Sequence, residues 1–188
     1  TPAPWEHKDG LHIVSLRAWE PNYQIATLID AFALLHRQLP GAPLQLHLLG
    51  GGALEPALRA QVQELGLAPS VTFHGRLDDA GMAAVLARCK ISVTVPASDA
   101  TSVAMLESMA CGLAVVASDL PANRQWITPE LLVPAGDAPA LARVLQRLAS
   151  DDAQARQAGE RNAERIARDG DRKAQMDRMD RLYRELLP

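Results

Sequence analysis

A series of short apolar runs, each followed by a stretch with helical spacing, constrains this chain more than any other feature. "LHIVSL" (residues 11–16), "LQLHLLG" (44–50), "VTFHG" (71–75), "ISVTVP" (91–96) and "AVVAS" (114–118) read as strands, with "LLVPAG" (131–136) as a sixth. Between the first two, Ile25, Leu28, Ile29, Phe32 and Leu35 share one helical face, and "PGAP" closes that helix. Further helices are predicted over 55–67, stopped at Gly66, and over 78–89, which opens on a pair of acids suited to the positive end of a helix dipole. Two more are predicted over 102–112, capped by Thr101 or Asp99 and stopped at Gly112, and over 137–150. The strands are continuously apolar rather than alternating, so both faces of their sheet are covered. Strand and helix in strict alternation then give a parallel, doubly wound α/β domain over residues 11–150.

The two ends differ from this body. "TPAPWEHKDG" (1–10) reads as a linker; it has no initiator Met, no basic stretch and no apolar stretch of a leader peptide. The chain is therefore expected to be a piece of a longer protein. Residues 151–188 carry nine Lys/Arg and nine Asp/Glu and read as two charged helices split near "RDGDR". In the last of them Met176, Met179, Tyr183 and Leu186 form a stripe. The stripe is expected to pack on its own domain; the alternative is that it docks on a part of the protein outside this chain.

Composition excludes several classes. The formal net charge is -3 over 188 residues and no Lys/Arg block stands out, which disfavours nucleic acid as a partner. Cys89 and Cys111 form no C-x-x-C pair, so neither a zinc nor a redox motif is present, and buried free thiols are expected. No apolar run approaches the length of a membrane span.

In an open parallel sheet, ligands bind beyond the carboxyl ends of the strands. Arg17 follows the first strand, where a dinucleotide fold would need G-x-G-x-x-G; no glycine occurs between Leu11 and Pro40. Its guanidinium fork suits a diphosphate, or equally a salt bridge. Gly50, Gly51 and Gly52 follow the second strand and serve either close ligand approach or a tight turn. His74, Gly75 and Arg76 end the third; backbone there could read a base edge, and His74 is either a base or a structural imidazole. After the fourth, Thr101, Ser102 and Val103 offer the first amides of a helix to a phosphate. Glu107 sits on that apolar helix, where a carboxylate needs a partner: a ribose diol, or a neighbouring loop or Arg. Asp99 stands at the helix mouth as a cap or as a ligand of sugar hydroxyls.

Taken together, "VTFHGRLDDAGMAAVLARCKISVTVPASDATSVAMLESMACGLAVVASDLPANRQWI" resembles the C-terminal nucleotide-sugar domain of retaining GT-B glycosyltransferases, in particular the large family four. Its marks are V-x-F-x-G, an apolar strand ending near Pro96, and an E-x7-E motif leading into "ESMACGLAVVAS". "IVSLRAWEPNYQIATLIDAF" resembles the family's first strand, phosphate-binding Arg and following helix. The resemblance implies a Rossmann-like fold, the C-terminal half of GT-B, and a nucleotide-diphosphate sugar, UDP- or GDP-linked, as donor. It implies that Glu107 binds the ribose and that Asp99, the first acid of the motif, lies near the donor sugar. Thr101, Ser102 and Val103 would meet the diphosphate, Arg17 would neutralise it, His74 to Arg76 would line the base pocket, and Gly50 to Gly52 would form the glycine-rich loop. It implies no obligatory metal or cofactor. The acceptor would be held by an N-terminal domain outside this chain, which alone would bind nucleotide without transferring sugar. The implied location is cytoplasmic, with the whole enzyme peripheral at the inner face of a membrane.

Two departures stand out. The first acid of the motif is Asp99 rather than Glu, and Tyr23 and Gln24 stand where the family has a Lys. They keep two other readings in view: a GT-B-related UDP-sugar epimerase, and a degenerate, non-catalytic binding module.

Overall fold

The computed structural model describes residues 2–8, 10–170 and 172–187. Thr1 and Asp9 of the stretch read as a linker, and Asp171 of "RDGDR", lie outside the described residues. The strands are β1 (Leu11–Ser15), β2 (Leu44–Leu49), β3 (Val71–Gly75), β4 (Ile91–Thr94), β5 (Ala114–Ser118) and β6 (Leu132–Val133). They form one sheet in the order β3-β2-β1-β4-β5-β6, and every pairing is parallel. The helices are α1 (Ile25–Gln38), α2 (Glu55–Glu64), α3 (Asp79–Arg88), α4 (Val103–Ala110), α5 (Pro121–Arg124), α6 (Ala138–Ser150), α7 (Asp152–Arg165) and α8 (Arg172–Leu186). This is the doubly wound, Rossmann-like α/β arrangement expected from the strand pattern.

The sheet separates two apolar layers, because successive strand residues point to opposite faces. Ile13, Leu46 and Leu48 join Leu28, Ile29, Phe32 and Leu35 of α1 and Leu141 and Leu145 of α6 in the larger core. Val14, Leu49 and Leu113 meet Leu86 and Cys89 on the other side. Each fully buried Leu, Ile or Phe contributes about 1.5–3 kcal/mol. Helix α4 is tied down by polar contacts as well: the Ser108 hydroxyl lies 2.8 Å from that of Ser92 on β4 and donates to the Ala104 carbonyl at 2.9 Å.

The ends of the chain behave differently from one another. Trp5 Nε1 donates to Asp152 at 2.9 Å, Lys90 pairs with the same carboxylate at 2.7 Å, and Lys8 Nζ donates to the Cys89 carbonyl at 2.6 Å. The stretch read as a linker is thus docked, over its described residues, on the start of α7 and the end of α3. Helix α7 lies so close to the turn before β5 that a Cβ on Gly159 would stand 2.2 Å from the Gly112 carbonyl oxygen. Asn162 fixes the same approach by donating to the Leu113 carbonyl at 2.7 Å.

Helix α8 corrects an expectation. Met176, Met179, Tyr183 and Leu186 are 54%, 49%, 59% and 79% exposed, so the stripe does not pack on its own domain. The five-residue widened turn Ile166–Gly170 separates α7 from α8. Two smaller differences are local. Strand β6 stops at Val133 because Pro134 lacks the amide a ladder needs, and the short helix α5, begun by Pro121, had no apolar period to announce it.

Candidate functional site

Strands β1 and β4 are neighbours, and the chain leaves them toward opposite edges of the sheet. A crevice opens where such connections diverge. Its walls are the loop after β1 and the loop after β4. They are clasped together: Asn22 accepts from Ser98 N at 3.2 Å and donates to the Ser98 carbonyl at 2.9 Å, while Ala97 N donates to the Asn22 carbonyl at 2.8 Å.

Inside this clasp the expected site residues fall into two groups. The first is built on Arg17, only 8% exposed. Its Nη2 donates to Asp99 at 2.7 Å, its Nη1 donates to the Ser102 hydroxyl, and the Tyr23 ring centroid lies 4.3 Å from the guanidinium carbon. Ser102 also caps α4, accepting from Met105 N at 3.3 Å. The cap is therefore Ser102, not Thr101 or Asp99: Asp99 turns to Arg17 because a buried cation needs a counter-charge. Thr101 and Val103 are exposed at the helix mouth, Val103 by 68%. The first-turn amides of Val103 and Ala104 precede the intrahelical ladder, which begins with Leu106 N donating to the Ser102 carbonyl at 3.1 Å.

The second group surrounds a groove of about 280 Å³ lined by Leu16, Leu49, Gly50, Gly75, Arg76, Met82 and Glu107, among others. The Glu107 carboxylate has no hydrogen-bond or ion-pair partner among the described residues, while its carbonyl accepts from Cys111 N at 3.0 Å. Burial, with Asp79 nearby, pushes its carboxyl above the ordinary range. A half-buried carboxylate without a protein partner, in a groove at the carboxyl ends of three strands, is suited to accept from a ligand's hydroxyl donors.

The glycines divide by role. A Cβ on Gly50 would stand 2.4 Å from the Arg17 carbonyl oxygen, and one on Gly52 would stand 2.4 Å from that of Trp19. Both let the loops after β1 and β2 touch, and Trp19 N donates to the Gly51 carbonyl at 3.0 Å. Gly51 has room, with Arg76 Nε 3.6 Å from its would-be Cβ. Gly75 adopts φ 71°, a left-handed turn that carries Arg76 to the groove.

His74 belongs elsewhere. Its Nε2 lies 2.9 Å from His47 Nδ1, and His47 Nε2 lies 2.8 Å from His12 Nδ1, a chain of imidazoles across β1, β2 and β3. Burial and the flanking imidazoles hold His47 down to about 4. Sequence reading missed His12 and His47; the signal was a histidine inside each of three neighbouring apolar runs. It also missed the stacking of Tyr23 on Arg17 and the apolar groove wall from Leu16, Leu49 and Met82. Among the described residues, no group of three or more His, Cys, Asp or Glu is placed to hold a metal ion.

With this geometry in place, the comparisons with known proteins converge. Residues 10–151 match the family model for glycosyl transferases group 1, and the chain belongs to that family. A phosphatidyl-myo-inositol mannosyltransferase of Mycobacterium leprae is 36% identical over 142 residues, 71% of this chain and 35% of the relative. The chain thus spans about a third of the length of that relative. The fold matches a mutant of S. aureus TarM, crystallised with fondaparinux, alpha-GlcNAc-glycerol and UDP, at a TM-score of 0.86 and 18% identity, over 97% of this chain and 37% of the other. It also matches the C-terminal domain of a glycosyl transferase group 1 family protein from Francisella tularensis at a TM-score of 0.79 and 18% identity, over 89% of this chain and 90% of the other. The sheet and its helices are those of the GT-B glycosyltransferases.

Proposed function

We propose that this domain binds the nucleotide-diphosphate sugar donor of a retaining glycosyltransferase, the acceptor being held by a second domain of the same protein. The observation that carries this reading is Glu107, an unpartnered and partly desolvated carboxylate beside Gly50, Gly75 and Arg76 in the strand-end groove. A ribose diol satisfies such a carboxylate with two hydroxyl donors. The base would lie along the main chain at Gly75 and Arg76. The diphosphate would lie toward the first-turn amides of α4, whose dipole stabilises a leaving diphosphate.

The UDP bound by the TarM neighbour and the mannosyl chemistry named for the mycobacterial relative support a nucleotide sugar, either UDP- or GDP-linked. The exposed face of α8, with Met176, Met179 and Tyr183, fits a helix that reaches the acceptor domain. The isolated domain would then bind donor without turning it over.

Calorimetric titration with UDP, GDP and ADP, with NAD as control, tests the reading. One nucleoside diphosphate is expected to bind, and Glu107→Ala is expected to weaken it at least tenfold. Equal binding by the variant would remove Glu107 from the site and the reading with it.

A further inference from the structure

Arg17 is the buried cation of the crevice, and the protein already occupies it on three sides. One Nη donates to Asp99 at 2.7 Å, the other donates to the Ser102 hydroxyl, and Tyr23 covers a face with its centroid 4.3 Å from the guanidinium carbon. Nε is buried without a partner. Each Nη thus has one of its two N–H groups engaged by the protein, and a phosphate approaching this fork has to share it with Asp99 and Ser102. Asp99 is also well placed to stay: the Asn22–Ser98 clasp, with bonds of 2.9 and 3.2 Å, holds its loop against that of Arg17.

Charge makes the same point. Arg17 and Asp99 sum to zero, so an approaching anion meets no net attraction from the pair. Beside the intact pair it meets the Asp99 carboxylate, a like charge at short range.

We infer that Asp99 is an internal counter-ion that competes with the donor's diphosphate for Arg17, so that phosphate recognition requires Asp99 to leave. Tyr23 reinforces this: at its position a neutral ring stacks on Arg17 and adds no second cation. The phosphate then contributes little affinity in the resting domain, and the nucleoside half contributes most. This rests on the groove beside Glu107 being the nucleoside site.

Titration of the full chain with uridine, UMP and UDP, and with guanosine, GMP and GDP, separates the two halves. In the unaltered chain the nucleoside and its diphosphate are expected to bind within about threefold of each other. Asp99→Asn is expected to raise diphosphate affinity by roughly tenfold or more and leave nucleoside affinity unchanged, since one unit charge removed beside a cation is worth at least about 1.4 kcal/mol at that fold-change. Tyr23→Lys gives Asp99 another partner and is expected to raise diphosphate affinity as well; it serves if Asp99→Asn does not fold. A diphosphate that binds far more tightly than its nucleoside to the unaltered chain, or that gains nothing in either variant, would overturn the inference. Should no nucleoside bind, the donor reading fails, and inorganic pyrophosphate still decides: tighter binding by Asp99→Asn than by the unaltered chain supports the competing counter-ion, and equal binding refutes it.

Discussion

His12 Nδ1 and His47 Nε2 lie 2.8 Å apart in stacked rings, and His47 turns its other nitrogen to His74 at 2.9 Å. A neutral imidazole has one donor and one acceptor, so an uncharged His47 donates in one of these bonds and accepts in the other. Protonated, it would offer two donors, next to His12, His74 and the Arg88 guanidinium of α3.

This fixes the sign of a pH effect. His47 is held down to about 4, against 6.5 in an unfolded chain. Between those values the unfolded chain takes up a proton and the native chain does not. Stability from this group is full above pH 6.5 and is lost as pH falls toward 4. Denaturant midpoints measured at pH 7, 6 and 5 are expected to fall, with a shallower fall in His47→Gln. An equally steep fall in that variant would place the acid sensitivity elsewhere.

Glu107 works in the opposite sense. Its carboxyl is pushed up by burial and by Asp79, so the native chain holds a proton more readily than the unfolded one. The resulting penalty grows as pH rises through the carboxylate range. Glu107→Gln is expected to raise the melting temperature slightly at pH 7 while weakening nucleotide binding. A loss of stability would mean that the carboxylate has a structural partner.

Gly159→Ala tests the seating of α7. The new Cβ would stand 2.2 Å from a carbonyl oxygen, which cannot move without shifting the turn before β5. Overpacking of this kind costs about 1–3 kcal/mol, and each kcal/mol lowers the melting temperature of a domain this size by about 2–4 °C. Gly51→Ala, whose Cβ would meet nothing nearer than 3.6 Å, is the control and is expected to melt within a degree or two of the unaltered chain.

The cysteines differ in reach. Burial pushes the Cys89 thiol up to about 12, while Cys111 is only half-buried with a smaller rise of the same cause. A thiol reagent at pH 7.5 is expected to label Cys111 slowly and Cys89 only after unfolding. Mass spectrometry of the labelled native chain checks this, and prompt labelling of Cys89 would show that α3 opens.

The fold was legible where the physics is local. Runs such as "AVVAS" announced buried strands because five consecutive residues of β5 are buried, and the face of α1 announced itself through Leu28, Phe32 and Leu35. The carboxylate of the strand-end groove was legible for the same reason: Glu107 is one charge on an apolar helix. The rest depends on partners far apart in the chain. Asp99 lies 82 residues from Arg17, so nothing nearby announced that it would pair there rather than cap α4. The imidazole chain depends on strand register, which places His47 opposite Val14 and Thr72. The exposure of α8 was hidden because a stripe of Met and Tyr looks the same whether or not anything covers it.

The separation of the two apolar layers from the crevice loops has a practical consequence. Phe32, Leu46 and Leu86 lie in the layers on the sheet's two faces, whereas Arg17, Tyr23 and Asp99 lie on connections beyond the carboxyl ends of β1 and β4. Libraries that randomise the exposed positions of the loops after β1 and β4, while sparing Trp19 and Val95 of the core and Asn22 of the clasp, would vary the ligand and leave the folding unit intact. The domain is in that sense a chassis, on which altered ligand preferences could be selected without re-engineering its core.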